Sequence, residues 1–379
     1  MYSILRDELI KTSDVIVVKV GTNVITCDNG RLNETRIEQL MSDIAAMFKK
    51  NKSVILVTSG AVGAGMGSLH LTTRPVEIAE LQAVAAIGQG KLIEIYERFM
   101  NKHELCTAQV LLTAEDFADR KRYLNVRNTI LALLKFVTLP IINENDTVSV
   151  NRLHATFGDN DHLASLVANL FDTPLLILLT DVDGLYDRDP VDPNAKLIPI
   201  VEQWTPDLMK MVAEKRSKLS KGGMSSKLKA AKIITESGGN VIIANGDNPD
   251  SLKDIFNANE VGTLFITQDN HMSARKRWLG FAVQAEGKIV LDDGAVKAVR
   301  ENGRSLLPIG IVAVAGAFDR GAIVSLVDRS GNEIARGLTN YNKQDIIKIQ
   351  GKKTSEIRHF LGQSLYTEVI HRDNLQVVD

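Results

Sequence analysis

Short unbroken runs of Val, Ile and Leu, separated by longer segments of helical period, leave this chain few folds to choose from. The runs lie at residues 14–20, 54–59, 106–112, 138–142, 175–179 and 240–244. A continuous apolar run suits a strand buried on both faces, as in a parallel sheet, whereas a strand with one wet face would alternate. Between the runs the pattern is helical. In residues 34–50, Ile37, Leu40, Met41, Ile44 and Phe48 recur on one helix face, and Asn33 stands where a cap is needed. Residues 75–101, 119–136, 160–171 and 226–237 read the same way. Strand–helix alternation predicts an α/β fold, a three-layer sandwich around a mostly parallel sheet with right-handed crossovers. Ligands in such folds bind at the carboxyl ends of the strands. Here those ends carry the clusters of Gly, Asp, Asn and Ser.

The pattern changes after residue 267. Residues 268–276 are polar and read as a linker. From residue 277 to 379 the runs are short and β-like, as at 310–314 and 322–327, with a turn signal at 328–332. The chain of 379 residues therefore divides into a first domain at 1–267 and a small, mostly β domain at 277–379. A formal net charge of −1 gives no global field toward nucleic acid or membrane. Cys27 and Cys106 are far apart, which argues against a disulfide framework or a zinc site and fits a reducing compartment. No apolar run approaches the roughly 20 residues of a membrane span, and the first residues lack a signal-peptide core. The expected location is the cytoplasm, away from any membrane.

Five loops carry residues suited to chemistry. The first run ends in VKVGT, with Lys19 before a Gly-Thr turn. A lone lysine there can simply snorkel from a strand end, or it can sit beside a phosphate. The second run ends in TSGAVGAGMGS at residues 58–68. Its glycines permit close backbone approach to a ligand or tight packing, and Ser68 spoils a dinucleotide fingerprint. The fourth run ends in NEND at 143–146, and a polar stretch leads to GDND at 158–161, at a helix start. One Asp at a helix start is often a cap. Two such clusters in one long connection suit a ligand bearing an ammonium group, and equally a metal ion. The fifth run ends in TDVDGLYDRDP at 180–190, and KGGMSSK at 221–227 has a phosphate-cradle composition at a helix N-terminus without being a Walker sequence.

Together these loops resemble the amino-acid kinase family. VKVGTN, TSGAV, NEND followed by GDND, and GGMSSK followed by Leu228 resemble its glutamate 5-kinase branch more than the acetylglutamate or carbamate kinases. SLLPIGI at 305–311 and FDRGAIVSL at 318–326 resemble a PUA domain. The chain departs from the family pattern at Asn23, where Ser is frequent, and at Ser220 and Lys221, where Gly-Thr is usual.

The resemblance implies transfer of a phosphoryl group from ATP, with Mg2+ as the nucleotide's partner, to the side-chain carboxylate of L-glutamate. It implies catalytic roles for Lys19 and Lys227 on the phosphates, with Asp161 orienting them. It implies glutamate binding by Ser59, Asn143, Asp146, Asp159 and Asn160, with Asp146 facing the α-ammonium. Thr180, Asp181, Lys221, Gly222, Gly223, Met224, Ser225, Ser226 and Lys227 would hold the nucleotide, with no protein-held metal. L-Proline is the expected inhibitor and a homo-oligomer the expected assembly. A side-chain carboxylate, with a pKa of about 4.3, is already ionised at neutral pH, so the reaction needs no general base. His154 and His162 are accordingly read as structural. Two other readings remain: an amino-acid kinase for an acyl or carbamoyl substrate, and an RNA-binding protein working through its second domain. Residues 272–379 hold 16 Lys and Arg against 12 Asp and Glu, but the cations are scattered and no aromatic stacking pattern accompanies them.

Overall fold

The structure, a computed structural model, describes residues 2–13, 15–27, 31–148, 160–206, 208, 223–267, 285–353, 356, 357, 360 and 366–378. In chain order its elements begin with α1 (Tyr2–Thr12), β1 (Val15–Val20), α2 (Thr22–Ile25), α3 (Glu34–Lys49), β2 (Val54–Val57), α4 (Ala61–Ser68) and α5 (Ile78–Asn101). There follow β3 (Thr107–Leu112), α6 (Ala114–Ala118), α7 (Arg120–Lys135), β4 (Leu139–Glu144), α8 (Asn160–Ala168), β5 (Pro174–Thr180), β6 (Ile200–Val201), α9 (Met224–Glu236), β7 (Asn240–Asn245), α10 (Ser251–Phe256) and β8 (Thr263–Phe265). The remainder holds β9 (Gly287–Leu291), α11 (Asp293–Arg300), β10 (Ile311–Gly316), β11 (Ile323–Val327), β12 (Glu333–Leu338), α12 (Lys343–Ile349) and β13 (Leu375–Val377).

The chain splits into two compact units, one built on β1–β8 and one on β9–β13. The expected linker at 268–276 lies outside the described residues.

In the first unit an eight-stranded sheet has the order β3-β4-β2-β1-β5-β7-β8-β6. Neighbours are parallel except β7 and β8, which are antiparallel. β1 sits at the centre, with Val17 opposite Ile55 on one side and Leu176 on the other. Every residue of β1, β2, β4 and β5 is buried, which is why these runs are unbroken in the sequence. Alternation along β1 sends Ile16, Val18 and Val20 to one face, where they join Ile37, Leu40 and Ile44 of α3 and Leu92, Ile95 and Phe99 of α5. Each such side chain contributes about 1.5–3 kcal/mol by leaving water. The same alternation sends Val17 and Lys19 to the other face. There α8 packs on β1, and α9 packs on β7 and on α8. The site is built from this second face.

The three-layer sandwich is as expected from the pattern. The antiparallel β8 and the two-residue β6 have no counterpart in the sequence reading, because pieces this short carry no period. The single helix expected over residues 119–136 is α7, and the short α6 before it had no counterpart in the sequence reading. Asn33 caps α3 as expected, its side chain accepting from the Arg36 amide at 3.1 Å.

In the second unit the sheet order is β10-β9-β11-β12-β13, with β9 and β11 parallel and the other pairs antiparallel. Ile289, Leu291, Val324, Leu326, Ile346, Ile349, Val369 and Ile370 form its own apolar core.

Candidate active site

The chain leaves β1 for β2 on one side and reaches β5 on the other, so the carboxyl ends of β2, β1 and β5 flank a topological switch point. Crevices of this kind bind ligands. Lys19 stands next to last on β1, and the sheet's alternation aims it at the α8–α9 face. Asp161 lies in the first turn of α8, where a carboxylate is favoured by the helix dipole. Lys227 lies in the first turn of α9.

These three side chains meet. The Lys19 ammonium is 2.5 Å from Asp161 Oδ1, and the Lys227 ammonium donates to Asp161 Oδ2 at 3.1 Å. The Ser226 hydroxyl also donates to Oδ2, at 2.8 Å. Asp161 is fully buried and each lysine is 5% exposed. Burial alone would push the Asp161 carboxyl up. The charges of Lys19 and Lys227, with the hydrogen bonds from Lys19 and Ser226, outweigh it and hold the carboxyl at about 2. The result is one carboxylate carrying two buried ammonium groups, a local excess of positive charge at the switch point.

A second group lies on the β2–β4 side. The Asn160 side-chain amide donates to the Thr58 carbonyl at 2.5 Å, the Ser59 hydroxyl at 2.9 Å and Asn143 Oδ1 at 2.9 Å. Asn143 Oδ1 also accepts from the Glu144 amide at 2.9 Å, and Asp146 is buried just beyond. One side chain at the start of α8 thus ties the ends of β2 and β4 together. Two groups on α5 brace the same ends. The buried Tyr96 hydroxyl is 2.7 Å from Thr58 Oγ1, and the Gln89 amide reaches the Glu144 carbonyl at 3.4 Å.

The glycines of residues 58–68 divide into two uses. Gly60 has φ +96° and turns the chain from β2 into α4. Gly65 is for packing: a Cβ there would lie 1.9 Å from the Val84 carbonyl oxygen, and one at Gly88 of α5 would lie 1.7 Å from the Ala61 carbonyl oxygen. Tight packing, one of the two readings left open, accounts for Gly65.

A third group lies beyond β5. The Thr180 hydroxyl donates to Asp181 Oδ1 at 2.9 Å, and Asp181 is exposed. α9 starts from Gly223 with no side-chain cap, and Met224, Ser225 and Ser226 form its first turn. Of these Ser226 faces Asp161, which sequence reasoning did not foresee. Asp159, Lys221 and Gly222 lie outside the described residues, as does His154. His162 is half-buried, and desolvation pushes its imidazole pKa down.

Arg36, Gln89 and Tyr96 were missed by sequence reasoning. The signal for Arg36 was present: it is a cation beside Ile37, on the stripe that packs against the sheet.

Residues 14–245 match the amino acid kinase family, and residues 287–361 match the PUA domain. The chain is 50% identical over 365 residues to the glutamate 5-kinase of Caldanaerobacter subterraneus subsp. tengcongensis, covering 96% of this chain and 98% of that one. It is 49% identical to the glutamate 5-kinase of Thermoanaerobacter pseudethanolicus, with the coverage again 96% and 98%. It is 46% identical to that of Moorella thermoacetica, with 96% of each chain covered.

Proposed function

Because this chain belongs to the amino acid kinase family, among its glutamate 5-kinases, we propose that it transfers the γ-phosphoryl group of ATP to the side-chain carboxylate of L-glutamate. The product is L-glutamyl 5-phosphate, and the step opens proline biosynthesis. The observation that carries the reading is the buried Lys19–Asp161–Lys227 cluster, set between an amide-and-carboxylate group and an open helix N-terminus.

In this mechanism the acceptor is already ionised, so no residue removes a proton. Catalysis comes from alignment and from countering charge on the transferring group. Lys19 and Lys227 supply that charge as fixed ammonium groups, and Asp161 keeps both in place. Ser59, Asn143, Asp146 and Asn160 hold the glutamate, with Asp146 toward its α-ammonium. Asp159 belongs to the same group by sequence. Thr180, Asp181 and the segment 221–227 hold the nucleotide. Magnesium would accompany ATP and would supply further positive charge beside the phosphates. Among the described residues no group of three or more His, Cys, Asp or Glu is placed to hold a metal.

The test is incubation with ATP, magnesium and single amino acids, trapping acyl phosphate with hydroxylamine. Hydroxamate is expected with glutamate. Its appearance only with another carboxylic acid would reassign the substrate.

The reading extends to regulation and assembly. L-Proline shares glutamate's α-carboxylate and ammonium but offers no acceptor, so it would occupy Asp146 and its neighbours unproductively. Initial rates at several glutamate concentrations should show proline competing with glutamate and not with ATP. A homo-oligomer is expected, and the exposed Leu69, Leu71, Val76, Ile78 and Ile87 around α4 and α5 are apolar surface suited to it. Sedimentation at several concentrations measures it. Among the described residues no helix is long and apolar enough to cross a membrane.

A further inference from the structure

Arg36 lies in α3, far in sequence from the turn that follows β7, yet its guanidinium ends in that turn. It is 7% exposed. Its Nε donates to the Gly246 carbonyl at 2.9 Å, Nη2 to that of Asn248 at 3.2 Å and Nη1 to that of Pro249 at 3.0 Å. Three carbonyls of one turn thus converge on a single planar cation, a pattern that a rigid fork of donors can hold and a point charge cannot.

The turn leaves the carboxyl end of β7, beside β5. The Gly246 amide donates to the Thr180 carbonyl at 2.6 Å. Gly246 is enclosed, since a Cβ there would lie 2.5 Å from Val24 Cγ2 and 3.0 Å from Leu179 Cβ. Next to it Asn245 donates to Asp183 at 2.8 Å and accepts from the Asp247 amide at 2.8 Å. Burial, and then the neighbouring Asp181 charge, push the Asp247 carboxyl pKa up. The turn after β7 is therefore bonded to the end of β5 and lies close to Asp181.

We infer that Arg36 is a positioning residue for the nucleotide: it locks the Gly246–Pro249 turn, and that turn sets the end of β5 where Thr180 and Asp181 stand. The inference rests on the reading of Thr180 and Asp181 as nucleotide-binding. A lysine would keep the charge but lose the fork. Losing charge-assisted hydrogen bonds of this kind is worth about tenfold in affinity.

The experiment compares Arg36→Lys and Arg36→Gln with Asp181→Ala in the full chain, measuring KM for ATP and for glutamate after folding is checked by thermal unfolding. The expected result is a KM for ATP raised about tenfold in both Arg36 variants, with the KM for glutamate within about twofold. A purely structural role would lower the unfolding temperature and leave that split absent. If Asp181→Ala raises the KM for ATP and folded Arg36 variants do not, the inference fails while the nucleotide reading stands. If Asp181→Ala also leaves it unchanged, the nucleotide reading fails and takes the inference with it. Hydrogen exchange on the unaltered protein gives a readout that does not depend on the variants folding. The Gly246 and Asn248 amides should slow when a non-hydrolysable ATP analogue is added and should not respond to glutamate. No slowing would overturn the inference.

Discussion

At the residue scale, the cluster around Asp161 converts composition into a testable division of labour. If Lys227 counters charge only as the phosphoryl group moves, Lys227→Ala should lower kcat on the order of 100-fold or more and change either KM far less. Asp146→Ala should do the reverse, raising the KM for glutamate while the KM for ATP stays near its original value. Steady-state rates against both substrates separate the two outcomes. A second, half-buried carboxyl makes a prediction about stability. Burial pushes Asp43 up to about 6, against the lowering pull of Arg36 and Lys253. A carboxyl raised in the folded state adds stability that is complete below its unfolded pKa, near 3.8, and is lost as pH rises through about 6. The native chain should therefore lose stability relative to Asp43→Asn as pH goes from about 4 to about 7. Denaturant unfolding of both proteins at those pH values measures it, and equal pH slopes would contradict the assignment.

At the scale of elements, the close approach of α4 and α5 carries the end of β2. Gly88 admits no Cβ, because the Ala61 carbonyl oxygen already occupies that space. Gly88→Ala must push the helices apart and should cost about 1–3 kcal/mol. Ser59 and Gly60 lead directly into α4, so the same change should raise the KM for glutamate. Gly90, two residues on, is exposed, and a Cβ there would meet nothing within 4 Å. Gly90→Ala should stabilise by about 0.5–1 kcal/mol through helix propensity and leave the kinetics alone. Unfolding midpoints of the two variants, moving in opposite directions, are the expected result.

At the scale of the whole molecule, each unit has its own sheet and its own apolar core. The described residues of the candidate site all precede Thr267. A chain ending at Thr267 should fold and keep kinase activity, as measured by the hydroxylamine trap and by circular dichroism. A folded but inactive truncation would assign the second unit a part in catalysis.

The local pattern was enough for the buried strands, the helix stripes and the loops at the strand ends. Val, Ile and Leu in unbroken runs have few alternatives to a sheet covered on both faces, and Asn33 is a cap wherever α3 begins. Lys19, Asp161 and Lys227 became candidates through the family resemblance of their loops, since a strand-end lysine or a helix-start Asp alone can simply snorkel or cap. Their meeting was implied by the resemblance and not by any local pattern, since it depends on α8 and α9 packing beside β1 from more than a hundred residues away. The same dependence on packing holds for Ser226, whose hydroxyl serves Asp161, and for Gly65, whose missing side chain serves α5. Arg36 shows the limit most clearly. Its place on an apolar stripe was passed over, and its partners are main-chain carbonyls, which have no sequence signature. Short-range periodicity is written in side-chain identity, whereas contacts between distant backbones are decided only when the layers close.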